Sequence, residues 1–200
     1  MFLQVIQGKV RDQSGLKENL DRWLADLSPG ADGWLGTTWG LYGDNSFIAL
    51  VRFESADAAR RNSDRPEQGQ WWSSMASSLD GDSFADYDDV IVMGPGGSDD
   101  ARFVQVMQGR VKDVRREREM TAQFASAPMD FRPDIIGGLV GFADDGTFVQ
   151  AIYFTSEAEA REGEQKPMPP AVQAMMEQSQ ANTVEINFID LTAPAFASPT

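Results

Sequence analysis

The 200-residue chain is 42% apolar and 10% aromatic, enough to build a core, and it contains neither cysteine nor histidine. Disulfides, thiolate metal sites and cysteine nucleophiles are therefore excluded, and the commonest metal ligand, haem ligand and general base is missing as well. A formal charge of −14 sets the surface against nucleic acid and anionic membrane, so neither is expected as a partner. No apolar run reaches the roughly 18 residues a spanning helix needs, and no leader pattern precedes the first strand-like residues. The default expectation is a soluble cytoplasmic protein.

Residues 2–10 carry β-formers that are apolar on both faces, which predicts a central strand covered on both sides. Phe2, Gln4 and Ile6 share one face; Leu3, Val5 and Gln7 share the other. From Ser14 the period changes. Leu16, Leu20, Trp23, Leu24 and Leu27 form one helical stripe, which Ser28-Pro29-Gly30 stops. Residues 34–41 and 47–53 read as a hairpin about the turn residues Gly43-Asp44-Asn45. A second helix opens at Ser55, is interrupted by Pro66, and resumes over 71–79. Residues 80–89 read as a solvated acidic connector. Their resemblance to a calcium loop fails at Phe84 and Ala85, where an oxygen ligand and a glycine belong. A last strand is expected over 90–93.

The opening segment FLQVIQGKVRD, Phe2 to Asp12, returns as FVQVMQGRVKD from Phe103 to Asp113. The match continues through Gly36 with Gly137, Gly40 with Gly141, Phe47 with Phe148, Phe53 with Phe154, Arg60 with Arg161, Pro66 with Pro167 and Met75 with Met176. One β-α-β-β-α-β unit is thus written twice. The expected organisation is a first ferredoxin-like repeat over 1–93, a Gly/Pro/Ser/Asp linker over 94–101, a second repeat over 102–191, and a flexible tail over 192–200. In the second repeat Ser156 and Glu159 have capping-box spacing. The in-strand glycines at 36, 40, 137, 138 and 141 read as bulges or close backbone approaches rather than a phosphate cradle.

Each repeat would leave one apolar sheet face bare, and the simplest remedy is for the two faces to pack together within the chain. Element order and duplication together resemble the dimeric α/β-barrel proteins of the antibiotic-biosynthesis-monooxygenase type, doubled and fused into one chain. The resemblance implies an α+β fold of two tandem ferredoxin-like repeats packed sheet to sheet as an intrachain pseudo-dimer, open to further homodimerisation. It also implies a pocket between each sheet and its second helix. Some relatives oxidise polycyclic phenols without metal or flavin, others degrade haem, and others have no known activity. In haem-degrading and quinone-forming relatives the second helix offers an Asn, an aromatic and often a His. Asn62 and Trp71 or Trp72 match the first two, and the third has no counterpart, so no cofactor is expected.

The densest candidate stretch is residues 60–72, with three arginines, Asn62 and the adjacent Trp71 and Trp72 around the Pro66 break. The second half lacks both indoles, so any site belongs to the first half; the plainer reading is aromatic packing and local ion pairs. Gln4 and Gln105 either bind a ligand or, more plainly, hydrogen-bond each other across the pseudo-twofold. Arg52 or Arg65 could hold an anionic or phenolate substrate, although an arginine in an apolar strand more often reaches out at the sheet edge. The candidate substrate-binding set is Gln4, Arg52, Asn62, Arg65, Trp71 and Trp72, with no metal ligand and no assigned catalytic group. Two functional readings stand: a cofactor-free monooxygenase-like enzyme for an aromatic or phenolic substrate, or a non-catalytic ligand-binding or scaffold module.

Overall fold

The computed structural model describes residues 1–199 other than Pro128. Its elements run β1 (Phe2–Val10), α1 (Gln13–Arg22), β2 (Trp34–Tyr42), β3 (Ser46–Phe53), α2 (Ala56–Ser63), α3 (Pro66–Ser77), β4 (Leu79–Tyr87) and β5 (Asp89–Met93). There follow β6 (Phe103–Val111), α4 (Val114–Ala125), β7 (Ile135–Phe142), β8 (Thr147–Phe154), α5 (Glu157–Glu164), α6 (Pro170–Asn182), β9 (Thr183–Leu191) and β10 (Ala195–Ala197). They form two antiparallel sheets of five strands, ordered β10-β2-β3-β1-β4 and β5-β7-β8-β6-β9. The chain divides into two compact units, residues 1–88 with 195–200, and residues 89–194. Each contains the β-α-β-β-α-β order of a ferredoxin-like repeat, with the second helix broken in two and one strand added, so the protein is α+β.

Local chemistry explains why the repeats begin alike. Asp12 and Asp113, which end the duplicated segment, are both helix N-caps: Asp12 accepts from the Ser14 amide at 3.1 Å and Asp113 from the Arg116 amide at 3.0 Å. Ser55 and Ser156 cap the second helices in the same manner. The reciprocal half of the capping box takes a variant form, since the Glu159 carboxylate accepts from the Thr155 and Ser156 hydroxyls. After α1 the chain widens into one π-turn over Trp23–Leu27, closed by the Ser28 amide donating to the Trp23 carbonyl. Pro29 then prevents further helix. The wide turn brings both Trp23 and Leu27 into the core.

Three expectations are corrected. Residues 80–87 are not a loop but most of β4, the edge strand beside β1. Their acidic composition has little β-propensity of its own, and pairing with β1 carries them, with a register shift between Gln7 and Lys9. Asp80, Asp82 and Asp86 guard the open edge against another strand. Second, the strand at 89–93 does not close the first sheet; it pairs with β7 in the second. Third, the tail expected over 192–200 contains β10, which pairs with β2 through Ala195 and Trp39, Phe196 and Thr38, and Ala197 and Thr37. Thr200 lies outside the described residues. The outer position of each sheet is thus filled by a strand that follows the other repeat in sequence. The glycine reading agrees with the structure at two positions: bulges fall between Trp34 and Gly36 and between Ile135 and Gly137, and Gly36 has a φ of +130°.

The pairing of Pro66 with Pro167 and of Met75 with Met176 is also corrected. The proline that opens α3 is Pro66 and the one that opens α6 is Pro170, because three extra residues lie between the second-half helices. Ser78 and Asn182 are the matched ends: the Ser78 carbonyl accepts from Arg11, and the Asn182 carbonyl accepts from Lys112.

In the first unit the sheet face bearing Phe2, Ile6, Val10, Phe47 and Phe53 packs under the helices through Leu16, Trp23, Ala58, Trp71 and Met75. Leu3, Val5, Ile48 and Leu50, on the opposite face, are fully buried too, as a strand apolar on both sides requires. No helix among the described residues is long and apolar enough to cross a membrane. Removal of residues 195–200 is expected to cost about 2 kcal/mol, from a few ladder hydrogen bonds worth about 1 kcal/mol each at most. It should accelerate amide exchange along β2 at least tenfold while leaving β6 to β9 protected; unchanged exchange along β2 would show that β10 contributes nothing.

Candidate functional site

The first unit contains a cavity of about 80 Å³ between its sheet and helices. Ile6, Phe47, Ala49, Val51 and Phe53 form its floor and Leu20, Trp23, Leu24, Trp71, Trp72 and Met75 its helical walls. β10 contributes Ala197 at one side. The aromatic walls brace one another. Trp23 meets Trp34 edge-on at 4.9 Å, Trp71 and Trp72 lie 5.8 Å apart, and Trp72 meets Phe84 edge-on at 4.8 Å. Buried indoles need acceptors for their N–H groups. Trp71 donates to the Asn19 carbonyl at 2.7 Å, Trp34 to the Thr37 hydroxyl at 3.0 Å, and Trp23 to Gln68 Oε1 at 2.8 Å.

The candidate residues separate into three groups. Asn62, Trp71, Trp72 and Gln4 line the cavity. Arg65 stands behind it, donating to Asn62 Oδ1 at 2.9 Å, to the Leu27 carbonyl at 3.1 Å and to Glu67 at 2.9 Å. Arg52 is elsewhere: it alternates with Val51 and Phe53, so it points to the other sheet face with Ile48 and Leu50, where it is buried. It does not reach out at the sheet edge. The expectation that Gln4 and Gln105 bond each other is corrected. Gln4 donates to Asp86 and Gln105 to Asp190, both at 2.9 Å, because the adjacent edge strands place a carboxylate directly in register with each amide.

Gln68, Trp23, Trp39 and Thr37, outside the candidate set, also line the cavity. Gln68 was visible as an amide three residues before Trp71. Trp23 continues the apolar stripe of α1 by its spacing, and nothing in that spacing distinguishes a cavity wall from core.

The three amides have orientations forced by their partners. A guanidinium and an indole N–H can only donate and an ionised carboxylate can only accept, so Asn62 and Gln68 present oxygen to Arg65 and Trp23, while Gln4 presents nitrogen to Asp86. Asn62 Nδ2 and Gln68 Nε2 are left without an acceptor among the described residues, and Asn62 is only 7% exposed. Among the described residues no Asp, Glu, Lys, Arg or Tyr lines the cavity. The site offers apolar surface and neutral hydrogen-bond donors.

The second unit differs at the position of Asn62. Gly163 stands where the first repeat has Asn62, and a Cβ there would lie 2.5 Å from Arg132 Nε. The Arg132 guanidinium occupies that space, bonded to Asp134 at 2.7 Å and lying 5.8 Å from the Phe154 ring centroid.

Three solved structures share this architecture over nearly the whole chain. A candidate monooxygenase from Fusobacterium nucleatum subsp. nucleatum superposes with a TM-score of 0.80 at 10% identity, covering 98% of this chain and 94% of that one. A candidate monooxygenase from Lactobacillus acidophilus gives 0.72 at 14% identity, with 97% and 95% covered. An anthrone oxidase-like protein gives 0.64 at 9% identity, with 98% and 92% covered. At such identities the likeness is one of fold: the chain shares the α+β fold of these proteins, with two ferredoxin-like halves in one polypeptide. No family model matches the sequence, and none of the curated proteins matches it significantly.

Burial works to raise the Asp134 carboxyl, but the hydrogen bonds and charge of Arg132 outweigh it and hold the carboxyl below the usual range. A group depressed in the folded state stabilises the fold above its ordinary pKa, and that stability is lost as pH falls through the lower, folded value. Asp134→Asn should therefore cost about 3 kcal/mol at neutral pH, where it strands a largely enclosed arginine. The difference from wild type should shrink as acid protonates Asp134 in the native protein. A difference constant from pH 7 to pH 2 would refute the coupling.

Proposed function

We propose that the first unit binds a small, flat aromatic or phenolic molecule in the indole-walled cavity and acts on it as a cofactor-free monooxygenase. The supporting observation is the pair of amide N–H groups, on Asn62 and Gln68, that lack an acceptor among the described residues, at a cavity walled mainly by aromatic and alkyl side chains with Gln4, Thr37 and Ser63 among them. Indoles suit a ring face, and neutral donors suit a phenolic or carbonyl oxygen, above all one bearing negative charge. The full-length structural neighbours include candidate monooxygenases and an anthrone oxidase-like protein, which favours the same chemistry.

The reaction would take its electrons from the substrate. A phenol and dioxygen balance to a quinone and water: one oxygen atom becomes the new carbonyl at a ring carbon, and the other leaves with the phenolic and ring hydrogens. The protein's part is to hold the substrate as its phenolate, the electron-rich form that reacts with oxygen, by aiming donors where the charge sits. The cavity of about 80 Å³ is smaller than the roughly 150 Å³ that accepts benzene, so a ring enters by displacing rim side chains. Trp72, Trp39 and Leu24 are only partly buried and form that rim.

One observation favours the alternative, a ligand-binding module without turnover: among the described residues no lining side chain is a base that would remove the phenolic proton. The two readings separate experimentally. All five tryptophans lie in the first unit, so intrinsic fluorescence reports on it alone. Titration with 1-naphthol should quench it saturably, and Trp72→Ala should weaken binding at least tenfold; quench without saturation would end the cavity reading. Oxygen consumption with electron-rich phenols, abolished or reduced at least tenfold by Asn62→Ala, is the outcome for an enzyme. Binding with no oxygen uptake would leave the module.

A further inference from the structure

We infer that Arg65 is a positioning residue. It turns the Asn62 amide so that Nδ2 is free for a ligand oxygen, and Asn62 and Gln68 then act as a two-donor clamp. The inference rests on the cavity being a ligand site and names the machinery that aims it. An Asn side chain is nearly symmetric in shape, and without a constraint its oxygen and nitrogen could exchange places. Arg65 removes that freedom, because its Nη1 can bond only the oxygen. The guanidinium is itself held by the Leu27 carbonyl, at the end of the π-turn, and by Glu67. Trp23 plays the same part for Gln68. Both amides are therefore set before any ligand arrives, which spares the ordering cost that a mobile amide would add to binding.

Gly30 supplies an independent handle. A Cβ at that position would fall 2.9 Å from Arg65 Nη2, the far end of a flexible side chain. Gly30→Ala should thus push the guanidinium off Asn62 without obstructing the backbone. Its backbone φ lies outside the left-handed region, so alanine brings no conformational strain.

4-Nitrophenol serves as the probe, because its phenolate is coloured and it ionises near neutrality; 4-nitroanisole is the control that cannot form an oxyanion. Wild type is expected to lower the apparent pKa of bound 4-nitrophenol. Arg65→Met and Gly30→Ala should each lose most of that shift and bind the phenolate about tenfold to a hundredfold more weakly, the range for a hydrogen bond to a charged oxygen. They should bind 4-nitroanisole within about threefold of wild type. Asn62→Asp, which offers Arg65 a carboxylate and the ligand no donor, should fold stably and reject the phenolate. Gln68→Ala should lose part of the shift. Wild-type shifts in both Arg65→Met and Gly30→Ala would overturn the inference while leaving the cavity reading intact. Equal loss of both probes would make Arg65 merely structural. Failure of wild type to bind either probe would remove the cavity reading, and this inference with it.

Discussion

The first unit is governed by the need to satisfy polar groups inside an aromatic layer. Burying Trp23, Trp34 and Trp71 under two helices requires three acceptors, found in Gln68, Thr37 and the Asn19 carbonyl. Each of these bonds fixes a ring and, at Gln68, also fixes an amide. An unpartnered buried N–H costs about 1 to 3 kcal/mol, enough to decide among side-chain arrangements. The cavity lies among these bonded rings, and its donors are the amide ends left over by the Trp23 bond to Gln68 and the Arg65 bond to Asn62.

The duplication provides an internal control. Both repeats keep the N-cap aspartates, the capping serines, the bulges beside Gly36 and Gly137, and the amide-to-carboxylate bonds of Gln4 and Gln105. These belong to the scaffold. The repeats differ where the guanidinium lies. The first reaches in with Arg65 from beyond α2 and keeps Asn62; the second reaches in with Arg132 from before β7 and has Gly163 in that place. An arginine that supports an amide in one repeat fills its space in the other.

Much of the fold could be read from the sequence because the duplicated segment carries its own caps and a two-sided apolar strand. Helix α1, the β2–β3 hairpin and the start of α2 follow from periodicity and turn residues. What could not be read depends on partners distant in sequence. β4 is acidic and glycine-containing, and only its neighbour β1 makes it a strand. The placement of β5 and β10 depends on which sheet edge is vacant, which local pattern does not encode. Of the site, the stretch around Asn62 and Trp72 was visible as an aromatic and polar cluster at a helix break. Arg52 lies away from the cavity, and strand alternation tells which residues share a face but not which face carries the helices. Gln68 and Trp23 depend on a contact 45 residues apart in sequence.

The most direct test of the central claim is an indole N–H spectrum of the ¹⁵N-labelled protein, which contains five tryptophans. Four of the five line the cavity; Trp34 is not among its lining residues and donates its N–H to Thr37. On addition of 4-nitrophenol, the signals of Trp23, Trp39, Trp71 and Trp72 should move together and saturate, with Trp34 moving least. Saturable shifts confined to backbone signals of residues 89–194, or none at any indole, would contradict a ligand site in the first unit.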